Sequence, residues 1–214
     1  ASIEDEYDYA STWELHSVVQ YHIHFGELAL AEKKAMMLYR AHMNGYSVPD
    51  YIYLSMVEIA FYQKHYNMLP QLLEKHINFI DINARTLRVQ SKYVYFQSLI
   101  NGKDKALAAF ETAQNYFFDL ISEWYQFYFF CYNRCLFRLY ANEGLKAIKL
   151  NLNPKWRIFE TEGVYNPENV FQFLNEEAKR RADMLDTKNE NTKYNDYLVL
   201  VLSQIDEPSA FRNF

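Results

Sequence analysis

Arg85, Arg88 and Lys92 fall at i, i+3 and i+7 of a segment with helical periodicity, which puts three cations on one face with Gln90 near its edge. Such a row can hold a partner carboxylate, a peptide carbonyl or a phosphate, with the guanidiniums supplying bidentate geometry. The commoner role of such a row is the solvated face of an exposed helix. A second group is aromatic. Trp124, Tyr125, Tyr128 and Tyr132 recur at i, i+1, i+4 and i+8, a stripe that runs beside another made of Phe127, Phe130 and Cys131. A helix that is apolar all round needs cover on both sides, so the Trp and Tyr stripe must meet either later helices of this chain or another protein. Rings with a polar tip suit a semi-wet contact of that kind. The helices after residue 165 are expected to cover much of it.

Other chemistry finds little footing. None of His16, His22, His24, His42, His65 and His76 forms a metal spacing such as His-Glu-x-x-His. Cys131 and Cys135 share a helix face but have no second ligand pair, and they read as core filler. Acid pairs such as Glu4 with Glu6 and Glu176 with Glu177 read as surface features. No nucleophile elbow, P-loop or dinucleotide fingerprint is present, and 5 glycines cannot build a phosphate cradle. The expectation is a non-enzyme with no catalytic residue, no cofactor and no metal.

Composition narrows the class further. Of 214 residues 50% are hydrophobic, enough for one compact domain or a short repeat array. Lys and Arg number 22 against 27 Asp and Glu, a net charge of -5, so no diffuse basic surface advertises a nucleic acid. Five Gly and 5 Pro leave too little turn material for an all-β chain. Nineteen Tyr and 16 Phe favour helix packing and interfaces. Two cysteines four apart cannot make a disulfide framework, which points to a reducing compartment. The longest uncharged aromatic run, Trp124 to Asn133, is half the roughly 20 residues of a spanning helix, so no membrane insertion is expected. The opening Ala1-Ser2-Ile3-Glu4-Asp5-Glu6 has no initiator Met, basic leader or apolar signal core, which fits either a targeting segment removed ahead of it or a sequence trimmed at that end.

The elements that must position these residues read as helices almost everywhere before residue 150, as in Leu28, Ala31, Ala35, Leu38, Tyr39 and Met43. Turns at Gly26, Asn67, Gly102 and Gly144 are spaced by 41, 35 and 42 residues, the range of helix-turn-helix repeats. First helices are expected at about 12–24, 50–65, 83–100 and 123–141, and second helices at about 27–44, 68–79, 103–121 and 144–150. Asn151 to Tyr165 reads as a connecting loop. Asn166 and Pro167 then open a helix with an apolar face of Val170, Leu174, Ala178 and Leu185. Asp186 to Lys193 reads as a linker or exposed turn, and Tyr197 to Ile205 as a short docking helix. The expected fold is all-α: an α-α superhelix of three to four hairpins with a C-terminal helical cap. Its parts are an acidic segment over 1–11, the array over 12–150, and a loop with capping helices over 151–214. Stacked hairpins leave a concave surface lined by their first helices, where solenoids usually bind.

The run from Ala35 through Met43, Asn44, Gly45, Val48, Pro49 and Asp50 to Tyr51, Ile52, Tyr53 and Leu54 resembles the junction between two pentatricopeptide repeats. The later hairpins resemble tetratricopeptide-like pairs. The resemblance implies an organellar α-solenoid. Long members read single-stranded RNA through the fifth and last residues of each motif, which would make Ser55 and Asp50 a reader pair and would put Arg88 at the next reading position. The acidic balance disfavours RNA, because phosphate neutralisation supplies most of such affinity. Short acidic members instead act as accessory subunits, implying a mitochondrial matrix protein bound to protein subunits of a larger complex, either the mitoribosome or the ATP synthase head. Two alternatives stay open: an organellar single-stranded RNA binder, and the peptide-binding sensor of a bacterial quorum-sensing regulator of tetratricopeptide-like type, whose groove would use Asn83, Arg85 and Arg88.

Overall fold

A computed structural model describes residues 9–43, 52–79, 81, 83–100 and 102–206. The fold is all-α: helices pack on helices, and the one sheet among the described residues is a pair of two-residue strands. The chain divides into two compact units, Ala1–Ile80 and Asp81–Asn213. The boundary between the units falls at 80/81, and the helices after residue 165 pack within the second unit.

The first unit holds α1 (Tyr9–His24), α2 (Leu28–Met43), α3 (Ile52–Tyr62) and α4 (Leu69–Phe79). The period of α2 places Ala31, Ala35, Leu38 and Ala41 on one buried stripe. Against this stripe lie Val19 and Ile23 of α1 and Ile52 and Ile59 of α3. Two helices end at glycine in the same way: the chain turns left-handed at Gly26 (φ 72) and Gly144 (φ 77), and the next amide bonds back five residues, Glu27 N–H to His22 O at 2.9 Å and Leu145 N–H to Tyr140 O at 3.2 Å. α3 ends likewise at Lys64 (φ 63), with His65 N–H bonded to Ala60 O at 2.8 Å. A side chain in that conformation is strained where glycine is not. Lys64→Gly is therefore expected to raise stability by about 0.5–1 kcal/mol, read as a higher urea midpoint at unchanged slope.

The second unit is built around α7 (Glu123–Asn142), which packs against α5 (Leu87–Leu99), α6 (Lys103–Ala113), α8 (Pro167–Asn189) and α9 (Lys193–Asp206). Phe127, Phe129, Phe130 and Phe137 are almost fully buried, and α7 is buried all round from Phe129 to Phe137. The fourth hairpin is not completed. Instead of a helix over 144–150, the chain leaves the Gly144 turn extended and forms β1 (Ile148–Lys149), antiparallel to β2 (Val164–Tyr165) with Ile148 opposite Tyr165. Ile148 is buried and Lys149 exposed, the alternation of a half-buried strand. Asn166 caps α8 as its type predicts, accepting from Glu168 N–H at 2.9 Å, with Pro167 in the first turn. α8 runs on through the expected linker to Asn189, where Asp186 turns inward and accepts from the first amides of α9, Tyr194 N–H at 2.9 Å and Asn195 N–H at 3.0 Å. That arrangement satisfies two donors of the α9 end.

Candidate functional site

Arg88 lies over two aromatic faces, its guanidinium carbon 4.7 Å from the Trp124 ring centre and 5.4 Å from that of Tyr128. Arg88 of α5 and the aromatic stripe of α7 thus meet at one corner of the second unit, while Arg85 falls in the turn before α5 and not on the helix face expected for it. Both sides of this contact are fixed locally. On the α5 side, Asn83 Oδ1 accepts from Arg85 N–H at 2.9 Å, and the Thr86 hydroxyl donates to Asp81 O at 2.6 Å, setting the first turn of the helix. On the α7 side, Gln126 Nε2 donates to Leu120 O at 2.9 Å while its Oε1 accepts from Arg181 Nε and Nη2 at 3.1 and 3.0 Å. With Gln126 held inward, Trp124 and Tyr125 are turned toward the half-exposed side.

Arg88, Trp124, Tyr125 and Tyr128 are half-buried and Arg85 is exposed. Among the described residues neither Arg85 nor Arg88 has a hydrogen bond or ion pair from its guanidinium. Stacking holds the plane of Arg88 and leaves its N–H edge for an external acceptor. Trp124 touches Tyr125 and Tyr128 at ring-centre distances of 5.1 and 4.9 Å, so the platform is continuous. Lys92, one turn along α5, is half-buried.

The far end of the stripe is closed from within. The Tyr132 and Tyr197 hydroxyls lie 2.6 Å apart, the Tyr132 ring also meets Tyr95 at 5.6 Å, and Tyr132 is only 2% exposed. Tyr132 is therefore buried in a contact with α9, so of the four rings only Trp124, Tyr125 and Tyr128 reach the half-exposed side. Ser55 is buried too. Its oxygen accepts from Gln20 Nε2 at 3.0 Å and lies 3.0 Å from His16 Nε2, inside the first unit, so its hydroxyl is not turned outward to read a base. Asp50, its proposed companion, and the Pro49-Asp50 junction lie outside the described residues.

Three structural residues have little sequence signal. Arg134 is 3% exposed and donates to the Cys131 carbonyl, Asn175 Oδ1 and the Leu198 carbonyl, tying α7 to α8 and α9. Arg181 stacks on Phe130 at 4.4 Å and pairs with Glu177. Trp156, in the loop before β2, sits among Phe117, Phe118 and Phe173 and donates from Nε1 to Gln114 Oε1 at 2.6 Å. A large ring in a polar loop is the one signal that could have marked it as an anchor.

Cys131 and Cys135 are fully buried. Burial pushes the Cys131 thiol up to about 12 despite the nearby Arg134, and it raises Cys135 as well, so neither is a ready nucleophile. Among the described residues no three His, Cys, Asp or Glu gather around a metal position, and no helix is long and apolar enough to cross a membrane. Compared with protein-family models, curated proteins and solved structures, the chain matches none of them.

Proposed function

We propose that this chain is a non-catalytic interaction subunit that docks an acidic segment of a partner protein on the Arg88, Trp124, Tyr125 and Tyr128 corner, with Arg85 at its rim. The observation that carries this reading is the stacked guanidinium of Arg88 whose N–H edge has no partner among the described residues. Trp, Tyr and Arg are the residue types that dominate binding energy at interfaces. A carboxylate is the natural acceptor for a fixed guanidinium fork. The chain as a whole is acidic, with a net charge of -5, so an acidic partner is repelled elsewhere and accepted here, which confers orientation. The same balance speaks against RNA, since two guanidiniums and Lys92 offer no track for a phosphate backbone.

The resemblance at the Ala35–Leu54 run supports placing this subunit in a mitochondrial matrix assembly of the mitoribosome or ATP synthase kind. That reading expects the native protein to co-sediment with a large mitochondrial particle. The docking corner is tested by fluorescence anisotropy with labelled peptides rich in Asp and Glu. Arg88→Ala is expected to weaken binding by roughly thirtyfold, and Arg88→Lys by about tenfold, because the charge is kept while the planar fork is lost. Equal affinity in the wild type and both variants would refute the site.

A further inference from the structure

The first unit contains a cavity of about 60 Å³ between α2, α3 and the turn that leads into α4. Three of the chain's 6 methionines line it, each from a different element: Met36 from α2, Met56 from α3 and Met68 from the short 3-10 turn before α4. His65 lines it as well, carried at the left-handed end of α3 that Lys64 forms. Glu32 and Gln63 stand at the rim, Gln63 Nε2 donating to Glu32 Oε2 at 2.9 Å. His65 and Met68 are exposed while Met36 and Met56 are half-buried, so the cavity opens to solvent on the side of the turn.

Three thioethers and an imidazole are a soft, neutral donor set. Hard divalent ions such as Ca²⁺ and Mg²⁺ need several oxygen ligands, and structural Zn²⁺ takes thiolate, imidazole and carboxylate. Thioether sulfur selects a soft cation, Cu(I) foremost among the biological ones. A monovalent ion also loses less hydration on entering an apolar cavity than a divalent one, and the Glu32 carboxylate at the rim offsets its charge. We infer that the Met36, Met56, Met68 and His65 cavity is a binding site for a soft monovalent metal ion, Cu(I) or its redox-inert analogue Ag(I). The alternative for a methionine-lined hollow is a groove for an apolar side chain, since methionine adapts to irregular shapes. Replacing thioether by hydrocarbon separates the two, because Leu keeps the apolar lining and removes the donor.

The experiment is a titration of the whole chain, labelled with ¹³C at the methionine methyls, with silver nitrate in chloride-free buffer. The Met36, Met56 and Met68 signals are expected to shift together and saturate at one equivalent, while Met37, Met43 and Met184 stay in place. The same titration of the Met36→Leu, Met56→Leu, Met68→Leu variant should show affinity lower by on the order of a hundredfold, and His65→Ala a smaller loss. Shifts spread evenly over all six methyls, or an unchanged affinity in the leucine variant, would overturn the proposal. So would binding of an apolar peptide to wild type and leucine variant alike, with no silver response in the three methyls. The wild-type spectrum decides the matter even where the triple variant folds poorly.

Discussion

Trp156→Ala is expected to destabilise the second unit by about 3–5 kcal/mol, the range for removing a buried large ring. The ring contacts Phe117 and Phe118 at 4.8 and 4.9 Å and stacks on Phe129 at 5.9 Å, joining the 3-10 turn before α7 to α7 itself. Its indole N–H meets Gln114 Oε1, which also accepts from the backbone N–H of Asn153 at 3.1 Å. Removing the indole therefore opens a cavity and loosens the loop between β1 and β2. Trp156→Phe separates the contributions: it keeps most of the apolar contact and deletes one buried hydrogen bond, for a loss of about 1–2 kcal/mol. Urea unfolding of the three proteins measures both steps. A cost below about 1 kcal/mol for the alanine variant would mean that the loop is not anchored by this ring.

Acid is expected to destabilise the first unit through His76. This side chain is 0% exposed, and burial pushes its pKa down from 6.5 to about 4. In the unfolded chain the imidazole takes up a proton near pH 6.5, whereas in the folded chain it resists until about pH 4. Between these values the unfolded state binds more protons, so stability is full above pH 6.5 and is lost as pH falls toward 4. With each tenfold difference in proton affinity worth about 1.4 kcal/mol, the loss across that window is about 3 kcal/mol. His76→Leu should flatten this part of the pH profile, measured as unfolding free energy against pH. An equally steep fall in the leucine variant would assign the acid sensitivity to other groups.

The parts of this fold that sequence reveals are those decided within one element. The α8 start is legible because Asn166 and Pro167 act through their own backbone, and the buried stripe of α2 is legible because its period is 3.6. Gly144 is legible as the end of a helix, but the conformation of the chain beyond it is not. Whether Ile148 enters a helix or a strand is settled by Tyr165, which pairs with it across the intervening loop. The docking corner has the same character. Arg88 and Lys92 lie one turn apart on α5, with Arg85 in the turn just before it, and Trp124 and Tyr128 form a stripe on α7, each readable from spacing alone. Their meeting depends on helix packing, and so does the closure of Tyr132 by Tyr197 of α9. Ser55 shows the converse: a position suggested by motif resemblance is claimed by His16 and Gln20 from an earlier helix.

The docking claim is tested most directly by an NMR titration that tracks the Arg88 Nε–H and Trp124 Nε1–H signals. An acidic peptide is added to one sample, and a single-stranded RNA of equal charge to another, at physiological salt. The expected result is that both signals move together and saturate with the peptide, stay still with the RNA, and that the Trp124 response disappears in Arg88→Ala. Signals that stay still with the peptide, or that move more strongly with the RNA, would contradict an acidic protein partner at this corner.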